Sequence, residues 1–196
     1  MRIPQCLLVL ACVLLGGCNA VIADHPLFVE ADRSTTLSLE DGIWYRVDPE
    51  CDVDLAKPRA DWPNCADWMI FKDSRAILSS DPKADEETED LMLVDGNPPL
   101  IQARVRTNGS ATVYGFLALE PVKRSASGKL ILVDVWAVPC GTQEAGAGPS
   151  AKITPYPGIS EECRTDSAEA VRAAAPKGRK SDEDLVRWQW VRAEGP

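Results

Sequence analysis

The sequence predicts a mainly β protein, an antiparallel barrel or sandwich of about six strands with one short helix near the C-terminus. Three observations carry this expectation. Short stretches rich in apolar, β-branched and aromatic residues recur between Gly, Pro, Asn and Asp turns. The last of them alternates Val186, Trp188 and Trp190 with Arg187 and Gln189, the period of a half-buried strand. One stretch, Ser167–Ala175, has both a helix start and a helix stop.

The folded body is expected to begin near Leu39. Gly42-Ile43-Trp44-Tyr45-Arg46-Val47 reads as the first strand, ended by Asp48-Pro49. A loop from Cys51 to Cys65 follows, and Pro49, Pro58 and Pro63 in and around it rule out a long helix. Trp68–Lys72 is the second strand, with Ile77-Leu78 extending that region. Asp81–Asp90 is an acidic break. Leu91–Val94 and Leu100–Val105 are strands joined through Asp95-Gly96-Asn97-Pro98-Pro99. Asn108-Gly109 signals a hairpin into Thr112–Leu119. Ser125–Gly128 turns into Lys129–Val138, which is apolar on both faces except at Asp134 and so suits a strand covered on both sides. Residues 141–162, rich in Gly, Pro and Ser, read as a long loop. Asp166 is the expected N-cap of the helix, with Glu169 three residues on and Pro176 as the stop. A charged connector, Pro176–Asp184, leads to the final strand, Leu185–Arg192.

The N-terminus has a different character. Arg2 precedes the apolar run Cys6–Leu15, and small residues follow at Gly16-Gly17. This is the pattern of a secretory signal. The run falls short of the about 20 apolar residues that cross a bilayer. Leu15-Gly16-Gly17-Cys18 resembles the lipobox of bacterial lipoproteins. The resemblance implies that Cys18 receives a diacylglycerol, that the chain is cut before it, and that the new amine is acylated. In the family, Asp after the lipidated Cys retains the protein in the inner membrane; Asn19 here implies the outer membrane, facing the periplasm. The expected organisation is a signal peptide over 1–17, a lipid-anchored flexible tether over 18–38 and a disulfide-containing β-rich domain over 39–196. Leu27-Phe28-Val29 is the part of the tether suited to dock on the body, and His25, the sole His, reads as solvated. The body, with Trp44, Cys51, Trp62-Pro63 and Cys65, resembles small exported lipoproteins of uncharacterised function.

Four cysteines remain beyond Cys18: Cys51, Cys65, Cys140 and Cys163. In an exported chain they read as two disulfides. Three pairings are open, and proximity in sequence favours Cys51–Cys65 and Cys140–Cys163. A metal site is the weaker reading, since there is no Cys-x-x-Cys and no nearby His.

Formal net charge is -9, which argues against nucleic acid and against anionic lipid surfaces as partners. A His-based triad is excluded by the place of His25, and no phosphate loop, dinucleotide fingerprint or Gly-x-Ser-x-Gly occurs. Ser127 and Ser150 each stand two residues before a Lys, short of Ser-x-x-Lys. Asp48, Glu50, Asp52 and Asp54 alternate like the start of a calcium loop, but Val53 and Arg59 stand where Gly and Glu are needed. No catalytic residue, cofactor or metal is therefore assigned. Asp134, the one charge in an apolar strand, reads as exposed or as paired with an Arg such as Arg104 or Arg106.

The expected function is a non-enzymatic envelope lipoprotein, held to the bilayer through Cys18 and binding a protein or cell-wall partner. The alternative is a carrier of small apolar ligands with Trp44, Trp68, Trp136, Trp188 and Trp190 lining a barrel mouth. A carboxylate-based hydrolase centred on Asp134 is a third reading.

Overall fold

The computed structural model describes residues 19–78, 87–106, 112–142, 153–179 and 185–193. Among them are eleven strands: β1 (Ile22–Ala23), β2 (Gly42–Arg46), β3 (Trp68–Lys72), β4 (Arg75–Leu78), β5 (Glu87–Val94), β6 (Leu100–Arg106), β7 (Thr112–Arg124), β8 (Leu130–Ala137), β9 (Gly141–Thr142), β10 (Thr154–Pro155) and β11 (Val186–Arg192). The helix α1 covers Ala168–Ala174 and runs into a 3₁₀ turn, Ala175–Gly178.

Strands β2 to β8 pair antiparallel in chain order, and β11 fits between β8 and β2. The β7–β8 pairing completes a closed barrel of eight strands, which decides between the barrel and the sandwich. Closure leaves no long unpaired edge in the wall.

The count rises from about six because Arg75–Leu78 is a strand of its own. Asp73 and Ser74 form a two-residue turn with φ of 50° and 64°. Hairpins of this kind are usually marked by Asn-Gly or Asp-Gly, and Asp-Ser carries no such mark. Ser74 occupies a left-handed conformation that costs an L-residue about 1–2 kcal/mol, so Ser74→Gly should stabilise the protein by roughly 0.5–1 kcal/mol after the added freedom of the unfolded chain. A higher urea midpoint at unchanged slope would confirm it, and a lower one would refute it.

Two other boundaries move. Residues 87–90, expected in the acidic break, belong to β5 and pair with β4, Arg75 facing Asp90 at 3.2 Å; residues 79–86 lie outside the described residues. β7 runs on through Pro121, where register shifts against β8 accommodate a residue without an N–H. The helix is capped by Ser167, whose Oγ accepts from the Ala170 N–H at 3.1 Å, and not by Asp166. Pro176 sits in the first turn of the 3₁₀ segment, where a missing N–H costs nothing. The Asn108-Gly109 turn and most of the loop after Thr142 lie outside the described residues.

The wall is packed from both sides. Inside lie Trp44, Phe71, Leu93, Ile101, Leu119, Leu130, Val133 and Val135. Outside, Val94, Leu100, Phe116 and Trp136 are covered by α1 and by the N-terminal segment. A third cluster joins Ile43 and Tyr45 to Trp62 of the first cysteine loop. β8 is thus covered on both faces, as its sequence suggested.

The tether expected over 18–38 is corrected along its described part, 19–38. Val21 and Ala23 are fully buried, and Phe28 is nearly so. β1 pairs with β7, and Gln102, itself buried, holds the next residues. Its Oε1 accepts from the N–H groups of Leu27 and Phe28 at 2.9 and 3.0 Å, and its Nε2 donates to the Phe28 carbonyl at 2.9 Å. The described residues before Leu39 are therefore part of the packed body.

Candidate functional site

The N-terminal segment ends as a strap across one mouth of the barrel. Arg33 bridges Val94, the Ser34 N–H donates to the Leu93 carbonyl, and Leu39 bridges Leu130. Ser34 Oγ accepts from the Leu37 N–H at 2.8 Å and donates to Asp95, which folds the strap into a turn. Leu37 and Leu39 point into the interior cluster for the same reason that the strap can lie there: they alternate with Ser38.

Under the strap lies a cavity of about 240 Å³. Its floor is apolar, from Leu37, Leu39, Phe71, Leu91, Leu93 and Ile101. Its rim is polar, with Ser34, Ser38, Asp41, Asp73, Ser74 and Lys129. The Lys129 Nζ donates to Asp41 at 2.9 Å, and this contact holds the ammonium above its ordinary pKa. Arg33 is held by Glu30 through two hydrogen bonds of 2.6 and 2.9 Å. The cavity thus has an amphipathic lining, apolar at the floor and polar at the rim.

The five indoles proposed for a barrel mouth do not meet. Trp44, Trp188 and Trp190 pack inside. Trp44 is fully buried and donates to the Glu40 carbonyl at 2.8 Å, and Trp190 donates to the Asp41 carbonyl at 3.0 Å. Trp68 and Trp136 lie on the outer face. Arg59 stacks over Trp68 at 4.0 Å, and Trp136 donates to the Ala175 carbonyl at 2.8 Å. None of the five lines the cavity. Strand alternation explains the split, since Trp68 and Trp136 fall one residue out of phase with inward Met69 and Val135.

Asp134 is buried on the outer face and takes a bidentate pair from Arg187, Nε at 2.7 Å and Nη2 at 2.8 Å. Its partner is thus Arg187, directly across the β8–β11 ladder, and not Arg104, which faces Asp90 at 3.6 Å. The pair is a structural fastening far from the cavity rim. Ser127 Oγ contacts Glu40 while Lys129 contacts Asp41, so the two are not joined as nucleophile and base. Just before and within the first cysteine loop, Asp48 and Asp54 accept from the N–H groups of Glu50 and Ala56, each shaping a turn. His25 is exposed, 3.8 Å from Asp166.

Both disulfides favoured by proximity are formed, Cys51–Cys65 and Cys140–Cys163. The first pins the loop that covers β2 and β3. The second ties the end of β8 to the turn before α1. The strap residues were missed in the sequence as site residues; the signal was there in Leu37 and Leu39 on alternate positions. No family model, no curated protein and no solved structure matches the chain.

Proposed function

We propose that the chain is an exported, lipid-anchored binding module of the bacterial envelope, acylated at Cys18 and acting without catalysis. In this reading it stands on the outer membrane, faces the periplasm, and engages an envelope protein or cell-wall partner. The observation that supports it most is the pair of disulfides, Cys51–Cys65 and Cys140–Cys163, that crosslink a closed barrel. Disulfides of this kind suit an oxidising compartment. A rigid closed barrel suits display of a fixed surface.

The acyl mass tests the anchor. Full-length chain made in a bacterial host should be recovered with membranes at a mass that includes diacylglyceryl and acyl groups. Cys18→Ala should lose the added mass and leave the membrane fraction. Soluble wild-type protein of unmodified mass would end the reading. The cavity favours a second reading, in which the module carries a small amphiphile at its mouth. Native and denatured masses of the Cys18→Ala body separate the two: a retained organic molecule supports the carrier, and equal masses support partner binding alone.

A further inference from the structure

The two ends of the barrel differ in a way that fixes how an anchored molecule must stand. At one end, the chain just after Cys18 is locked in place. The Asn19 carbonyl accepts from the Cys140 N–H at 2.9 Å, and its Oδ1 accepts from the Gly141 N–H at 2.9 Å. Ala20 bridges Pro139, the Val21 N–H donates to the Val138 carbonyl at 3.0 Å, and the Ile22 N–H donates to the Cys163 carbonyl at 2.9 Å. The Cys140–Cys163 disulfide joins two of these partners, the Cys140 that donates to Asn19 and the Cys163 that accepts from Ile22. Consecutive Cα atoms are about 3.8 Å apart, so an acylated Cys18 could stand no farther than that from this fixed point.

The strap and its cavity lie at the other end. Lys129 on the cavity rim comes just before β8, and Pro139 and Cys140 come just after it. β8 has 8 residues and spans roughly 26 Å along its length, or about 20 Å along the axis of a barrel with the usual tilt. Asp73 and Ser74, also on the rim, form a hairpin turn at the same end as Lys129.

We infer that the barrel stands on the bilayer by the end that holds Asn19 and the Cys140–Cys163 pair, with no tether, and that the cavity opens away from the lipid into the aqueous compartment. Among the described residues, the lipid-facing end carries more acid than base: exposed Glu161 and Glu162, and Arg164 paired with Asp24. Its seating is therefore set by the covalent anchor and not by attraction to anionic headgroups. An occupant of the cavity is drawn from the water phase, not from the leaflet that holds the acyl chains. The inference rests on the lipid-anchor reading.

The test uses the full acylated chain in phosphatidylcholine vesicles doped with a nitroxide-headgroup lipid. A fluorophore is placed at Glu161→Cys in one variant and at Ala126→Cys in another, both exposed turn positions. The label at 161 should be quenched several-fold more than the label at 126. Equal quenching, or the reverse order, would overturn the orientation. Inserting an Asn-led Gly-Ser spacer of about 20 residues between Cys18 and Asn19, with a coil span of roughly 25 Å, should erase the difference. A difference that survived the spacer would mean that the body docks on lipid by itself, and the direct anchor would not be what orients it. Intact mass separates the two layers of the argument. Without acyl groups on Cys18, anchor and orientation fall together; with them and with equal quenching, the orientation alone falls.

Discussion

Replacing Gln102 with Leu is expected to peel residues 24–33 from the barrel wall and to cost about 2–5 kcal/mol. The wild-type amide satisfies two N–H groups and one carbonyl of the segment at once. Leu would leave both N–H groups unpaired, that of Phe28 buried and that of Leu27 half-buried, at about 1–3 kcal/mol each. The chain can avoid that cost by detaching, but then Phe28 leaves its edge-on contact with Phe116 and its place under the Arg172 guanidinium. Losing one buried Phe costs about 2 kcal/mol. The two routes are close in free energy, so a mixture of attached and detached segments should appear. Gln102→Glu keeps the acceptor and loses the donor to Phe28, and should fall between wild type and Gln102→Leu. Hydrogen exchange at the Leu27 and Phe28 amides reads the outcome directly. Unchanged protection in Gln102→Leu would show that the clamp does not hold the segment. Residues 19–23 should stay protected in every case, because the second disulfide and the β1–β7 ladder fasten them separately.

Strand positions were legible in the sequence wherever one residue in two was apolar. Val186, Trp188 and Trp190 alternate, and all three face the interior. What the pattern could not supply is which of two apolar faces looks inward. In β8 both faces are apolar because α1 covers the outer one, so Trp136 could be read as a lumen residue when it seals the helix. The N-terminal segment was harder still. Its alternation is broken by Asp24, His25 and Pro26, and it is ordered by Gln102, which is 75 residues away from Leu27. A buried polar clamp of that range leaves no local mark. The same holds for Asp134, since Arg187 becomes its neighbour only when β11 is inserted beside β8. The cavity was illegible for a related reason: its floor is drawn from β3, β5, β6 and the strap together.

Trp44→Ala should be the most damaging single change inside the barrel. The indole is fully enclosed, and its Nε1 donates to the Glu40 carbonyl. Truncating a buried Trp costs about 3–5 kcal/mol, because the transfer free energy is lost and the closed wall cannot collapse into the gap. For a domain of this size that is a fall in Tm of about 10–15 °C. The size of the fall alone does not separate a filled barrel from a carrier, but added indole does. A dry apolar void of this kind takes up small aromatic molecules. Indole should therefore raise the Tm of Trp44→Ala and leave that of the wild type unmoved. If the wild type rose as well, the interior would already have room for an aromatic guest, and the carrier reading would gain over partner binding. If neither moved, the wall would have closed over the gap, and the barrel would be softer than its ladder of eight strands implies.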